Sequence, residues 1–176
     1  DRSKKLTSIT KSNAQGYSMV LWDKVFSEVS KDYPEVSTNS LLIDAACMDF
    51  IRKPSDFDVV VASNLFGDIL TDIAAMITGG LGLASSGNIS EDRSNPSMFE
   101  PTHGSAPDIE GKNIANPLAQ ILTAAMMLSH LGENIAADSI REAVKIVLKT
   151  RNKLTTDLGG NASTTECAEE VISNLQ

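Results

Sequence analysis

Asp68 and Asp72 stand four residues apart in Asn64-Leu65-Phe66-Gly67-Asp68-Ile69-Leu70-Thr71-Asp72, directly after the run Phe57-Asp58-Val59-Val60-Val61-Ala62-Ser63. Residues at i and i+4 share one helix face, so both carboxylates point the same way. The run before them reads as a buried strand, which places them near the end of a parallel strand, where open α/β sheets bind ligands. Two like charges held together are unfavourable unless something positive lies between them, and a hard divalent cation is the usual solution. A solvated helix face carrying two acids gives the same spacing, and spacing alone favours that plainer origin.

A second stretch suited to chemistry runs Phe99-Glu100-Pro101-Thr102-His103-Gly104-Ser105-Ala106-Pro107-Asp108-Ile109-Glu110-Gly111-Lys112-Asn113-Ile114-Ala115-Asn116-Pro117. Its small residues let backbone come close to a flat ligand, with His103 and Asn116 offering ring and amide contacts. A rigid Pro/Gly connector with no ligand has the same composition, and residue types leave the two readings even.

The elements that must position these residues alternate. A strand over residues 6–10 is followed by Lys11-Ser12-Asn13 and a helix whose apolar positions Tyr17, Leu21, Val25 and Val29 recur every four residues. Tyr33-Pro34 ends that helix. A short strand is expected over 38–43 and a short helix over 44–51, then the Val-rich strand and a helix carrying Asp68 and Asp72 to about residue 78. Gly79-Gly80-Leu81-Gly82 marks a boundary or hinge. Residues 81–89 are small and Gly/Ser-rich, and Glu91-Asp92-Arg93-Ser94-Asn95-Pro96 is a polar loop. Asn116-Pro117 opens a buried helix over 118–131, with Asn as N-cap and Pro at the first helical position, and Gly132 closes it. An amphipathic helix over about 135–149 follows. The last helix starts at Ser163-Thr164-Thr165-Glu166, a capping box. Such alternation predicts an α/β layered architecture with partly parallel pairing.

The 176 residues carry a net charge of -8, and no basic stripe exists to neutralise phosphates, so no nucleic-acid partner is expected. The longest apolar stretches are too short for a membrane span. Cys47 and Cys167 lie outside any C-x-x-C spacing and are expected as free thiols in a reducing compartment. No signal peptide is visible, which with the thiols suggests a cytoplasmic protein. The first residues, Asp1-Arg2-Ser3-Lys4-Lys5, read as a chain entered midway.

Residues Asn64 to Asp72 with Glu100 to Pro117 resemble the isocitrate/isopropylmalate dehydrogenase family of metal-dependent, decarboxylating β-hydroxyacid dehydrogenases, and the likeness covers essentially the whole chain. Thr156-Asp157-Leu158-Gly159-Gly160 and Ala62-Ser63-Asn64-Leu65-Phe66-Gly67-Asp68 are most similar to its tartrate/D-malate dehydrogenase branch, with isopropylmalate dehydrogenase a close second.

The resemblance implies the C-terminal half of an isopropylmalate dehydrogenase-like layered fold, not a Rossmann fold. Residues 1–78 would end the dimerising, substrate-side domain, and 79–176 would form the second portion of the nucleotide-side domain. It further implies that Asp68 and Asp72 bind Mg²⁺ or Mn²⁺ together with Asp44 from the partner subunit of a homodimer with a shared active site. Asp44 would also contact the substrate hydroxyl region, and on its own context it closes a strand or caps a helix.

Lys11 matches the catalytic lysine and Asn13 the asparagine near the nicotinamide. His103, Gly104, Ser105, Ala106, Asp108 and Asn116 match the adenosine loop. Asp108 would accept from ribose hydroxyls and repel a 2′-phosphate, favouring NAD over NADP. His130 is expected to be structural.

The implied reaction is oxidation, with decarboxylation, of a small 2-hydroxy acid such as D-malate or tartrate, or of 3-isopropylmalate. The family's N-terminal segments, with the arginines that grip substrate carboxylates and a proton-donating tyrosine, are absent from these residues. The chain by itself is therefore expected to have little activity. A non-catalytic regulatory or structural role is the alternative from another class, although such subunits tend to lose the metal acids.

Overall fold

Thr7, Ser8 and Thr10 are buried although each carries a hydroxyl, and this places β1 (Lys5–Thr10) at the centre of its sheet. A buried hydroxyl must find a partner. Thr7 donates to Asn39 Oδ1 at 2.7 Å, and the Trp22 indole N–H donates to Ser8 Oγ at 2.8 Å.

The computed structural model describes residues 2–176, in two compact units, Asp1–Ile77 and Thr78–Gln176. In the first unit β1 pairs in parallel with β2 (Ser37–Leu42) on one side and β3 (Val59–Val61) on the other. Leu6 lies opposite Thr38 and Val59. Helices α1 (Ser18–Val29), α2 (Ile43–Arg52) and α3 (Asn64–Ile77) complete the unit. Ile9, Met19, Ala46, Phe66 and Leu70 form its core.

One expectation is corrected here. The run 57–63 is not a buried strand: only Val59–Val61 pairs, along one edge, and Val59 is 39% exposed. An edge strand is covered on fewer sides than β1, so an all-valine run does not by itself imply burial. The Tyr17, Leu21, Val25, Val29 stripe faces outward, with Tyr17 94% exposed, and α1 packs through Met19 and Trp22 instead. Two apolar faces lie on this helix, and periodicity does not say which one meets the core.

In the second unit, β4 (Ser85–Asn88) and β5 (Met98–Pro101) form an antiparallel hairpin within stretches that read as loop. Neither strand has an apolar alternation, and the Phe99 ring beside Gly87 supplies the packing. Helices α4 (Leu118–Leu131), α5 (Asn134–Thr150) and α6 (Thr164–Ser173) surround a core of Leu118, Ala143, Val144, Val147, Leu154, Cys167 and Val171. Cys47 and Cys167 are free thiols, and burial pushes the Cys167 thiol up. Gly132 closes α4 at φ 94, a left-handed position that costs glycine little. His130 is structural: its carbonyl accepts from Arg93, and its ring lies 5.5 Å from that of Phe99. Among the described residues no helix is long and apolar enough to cross a membrane.

The capping box of α6 is formed as the sequence predicts. Ser163 Oγ accepts from the Glu166 N–H, and Glu166 accepts from the Ser163 N–H at 2.9 Å. The Lys153 ammonium first, then these Ser163 donors, pull the Glu166 carboxyl from 4.5 down to about 2. A depressed carboxylate contributes stability that is present above its unfolded value and lost as pH falls toward the folded one. The expected result is a loss of thermal stability between pH 4.5 and about 2 that is smaller in Glu166→Gln, since glutamine keeps the cap but has no charge to lose. Melting curves of both proteins across that range check it, and parallel curves would refute it.

Candidate functional site

The first cluster forms where β1 ends. The chain turns over residues 11–15, with the Lys11 carbonyl accepting from the N–H groups of Ala14 and Gln15. This turn leaves the Lys11 side chain free to reach the first turn of α2, where its ammonium donates to Asp44 Oδ1 at 2.6 Å. Asp44 neither closes β2 nor caps α2. It is the second helical residue, with Leu42 at the N-cap. A carboxylate in a first turn interacts well with the helix dipole. The Lys11 hydrogen bond, assisted by a backbone N–H, holds the Asp44 carboxyl below the usual carboxylate range. Lys11 is the less exposed partner, 26% against 61%. Asn13 stands exposed in the turn after Lys11.

Asp68 and Asp72 lie exposed on α3. Among the described residues no lysine, arginine or histidine pairs with either acid. Two carboxylates, one turn apart and without a cation, are a donor set suited to a hard divalent ion. Asp44 does not complete that set within one chain: among the described residues no group of three acids, histidines or cysteines converges on a metal position. Asp68 and Asp72 are oxygen donors of the kind Mg²⁺ or Mn²⁺ takes, and further ligands would have to come from outside this pair.

The second cluster is a cleft of about 1050 Å³ within the second unit, of the size that holds a nucleotide-sized ligand. It collects His103, Gly104, Ser105, Ala106 and Asn116 from the predicted loop. Asp108 is exposed in the short turn Pro107–Ile109 and does not line the cleft, whereas its neighbours Ile109 and Glu110 do. The loop is tied to the start of α6: Thr164 Oγ1 donates to the Ala115 carbonyl at 2.5 Å, and the Thr164 N–H to the Asn113 carbonyl at 2.9 Å. The Asn116 side chain accepts from the Leu118 N–H at 2.9 Å, the geometry of an N-cap with Pro117 at the first helical position. Helix assignment begins one residue later, at Leu118, a difference within the usual uncertainty of helix ends.

Gly82, Glu110, Asn113 and Asp157 also line the cleft, and sequence reasoning did not single them out as site residues. Asp157 lay in the Thr156–Gly160 phrase, read only for its likeness to one branch. Gly82 is needed for close approach: a Cβ there would lie 2.6 Å from Asn116 Nδ2 and 2.8 Å from Asp157 Oδ2. The lining contains the acids Glu110 and Asp157 and no lysine or arginine. Such walls suit an uncharged base and ribose hydroxyls, and disfavour an added phosphate, so the residues present fit NAD better than NADP.

The sequence pattern of the isocitrate/isopropylmalate dehydrogenase family matches residues 1–171. The chain is 47% identical over 175 residues to a 3-isopropylmalate dehydrogenase of Corynebacterium jeikeium, covering 99% of this chain and 50% of that protein. It is 46% identical over 175 residues to a probable tartrate dehydrogenase/decarboxylase of Bacillus subtilis, again covering 99% and 50%. The crystal structure of isocitrate dehydrogenase from Methylococcus capsulatus superposes with a TM-score of 0.92 at 41% identity, covering 97% of this chain and 50% of that one. The chain spans about half the length of the relatives it matches. By sequence and by fold, it belongs to the isocitrate/isopropylmalate dehydrogenase family and corresponds to the C-terminal half of its members.

Proposed function

We propose that the complete protein oxidises a small 2-hydroxy dicarboxylic acid such as D-malate or tartrate with NAD, and decarboxylates the product. The observation that carries this reading is the Lys11–Asp44 pair at 2.6 Å, at the carboxyl end of a parallel strand, in a chain that also keeps Asp68 and Asp72. Lys11 accepts the proton of the substrate hydroxyl as hydride leaves C2. To do so it must first give up its own extra proton, so its pairing with Asp44 has to loosen when substrate is in place. Asn13, in the turn after Lys11, is suited to an amide contact with the nicotinamide.

Asp68 and Asp72, with Asp44 of a second copy, hold Mg²⁺ or Mn²⁺, which when bound supplies Lewis-acid polarisation of the hydroxyl and stabilises negative charge as CO₂ is lost. His103, Gly104, Ser105, Ala106 and Asn116 bind the adenosine part of NAD. Exposed Met48 and Ile51 on α2, and Leu65, Ile69 and Met76 on α3, offer the apolar surface for that dimer. 3-Isopropylmalate is the second substrate reading, because a relative bearing that name is 47% identical, close to the 46% and 49% of relatives named for tartrate.

Assay of the complete protein with D-malate, tartrate and 3-isopropylmalate tests this. NADH is expected from one of the three only with Mg²⁺ or Mn²⁺ present, NADP is expected to be the poorer acceptor, and the 176-residue chain alone is expected to be inactive. Full activity in EDTA, or oxidation of none of the acids, refutes the reading.

A further inference from the structure

We propose that Asp157 is a positioning residue: it sets which way the Asn116 amide faces, so that the cleft meets a base with one N–H donor and one carbonyl lone pair side by side. The proposal rests on the nucleotide-binding role proposed for this cleft. An asparagine amide has nearly the same shape in both of its flipped orientations, so hydrogen-bond partners alone decide between them. Here both partners work in one direction. The Leu118 N–H, which only donates, meets Asn116 Oδ1 at 2.9 Å. The Asp157 carboxylate, which only accepts, meets Asn116 Nδ2 at 2.9 Å. Flipping the amide would lose both bonds and set like against like at each end.

Asp157 is itself held. Its Oδ1 accepts from Thr155 Oγ1 at 2.5 Å, and Thr155 is fully buried, so that hydroxyl needs the partner. Gly82 backbone closes against the pair so tightly that even a methyl group would collide with both Asn116 Nδ2 and Asp157 Oδ2. An amide offers two N–H groups and two lone pairs, and the two bonds to protein consume one of each. The remaining donor and acceptor belong to a side chain that lines the cleft. A donor beside an acceptor complements adenine, whose edge pairs a ring-nitrogen acceptor with an amino donor. The pair Asp157 and Asn116 is therefore set to meet the amino and ring-nitrogen edge of an adenine nucleotide.

The test is titration of AMP into the full 176-residue chain, with melting temperatures taken in parallel. For Asp157→Ala the expected result is a loss of AMP affinity of about tenfold, the size of one hydrogen bond to a charged group. The double variant Asn116→Asp with Asp157→Asn separates positioning from mere support. Its new carboxylate at position 116 still accepts from Leu118 and from the new amide at position 157, and that amide still accepts from Thr155. Melting temperature is expected to return toward wild type, whereas AMP affinity is not, because position 116 then presents lone pairs only. Equal AMP affinity in wild type and Asp157→Ala, or recovery of AMP affinity in the double variant, overturns the positioning role. Absence of AMP binding by the wild type overturns the nucleotide reading itself.

Discussion

Lys11→Met in the complete protein is expected to lower kcat by about a thousandfold, within the range for loss of a positioned general base, while the Kd for NAD stays within about twofold. Methionine keeps most of the apolar stem and removes only the amine. The fold should tolerate the change, because the ion pair it breaks has a partner, Asp44, that is 61% exposed, and exposed pairs contribute little to stability. The variant also has a signature besides lost turnover. Lys11 is the largest cause of the depressed Asp44 carboxyl, so in Lys11→Met that carboxyl should titrate at higher pH, which NMR of the Asp44 side chain follows. A kcat within tenfold of wild type would remove Lys11 from the mechanism.

The second large effect concerns the acids of α3. With Mn²⁺ at a hundred times its Kd, wild type is expected to gain about 2.7 kcal/mol of stability by mass action, and Asp68→Asn with Asp72→Asn to gain almost none. Turnover should fall with it, by at least about a hundredfold, since the Lewis acid contributes several kcal/mol to the transition state. The sign without metal is the discriminating feature. The two acids are one turn apart with no cation beside them among the described residues, so neutralising both relieves a repulsion of a few tenths of a kcal/mol. The double variant should therefore melt at or slightly above wild type in EDTA, and below it in Mn²⁺. Equal Mn²⁺ stabilisation of both proteins would return the pair to an ordinary solvated helix face.

The helices show how much was legible in the sequence. α4 was expected over 118–131 and spans Leu118–Leu131, closed by Gly132 as anticipated, and the Ser163–Glu166 box forms with both of its bonds. Caps and 3.6-residue periodicity act over a single turn, so they can be read from neighbouring residues. The hairpin β4–β5 was not legible, because β4 is small and polar and β5, Met98–Pro101, is too short to show an alternation. The edge position of β3 differs from the buried strand that its valines suggest for a related reason. Apolar pattern identifies a face that wants burial, and the neighbours available decide whether it is buried.

The candidate site divides along the same line. Residue types and spacing bring forward the acids of α3 and the loop from His103 to Asn116, and those motifs carry the resemblance to the family to which the chain belongs, which alone brings in Lys11 and Asp44. Only the folded chain joined Lys11 to Asp44 across 33 residues and Asn116 to Asp157 across 41, and only it left Asp108 outside the lining that Glu110 enters. Local sequence sets which backbone conformations and caps are favourable within a turn or two. Contacts between residues so far apart are set by strand order and helix packing, which depend on the free energy of the whole unit and have no local signature.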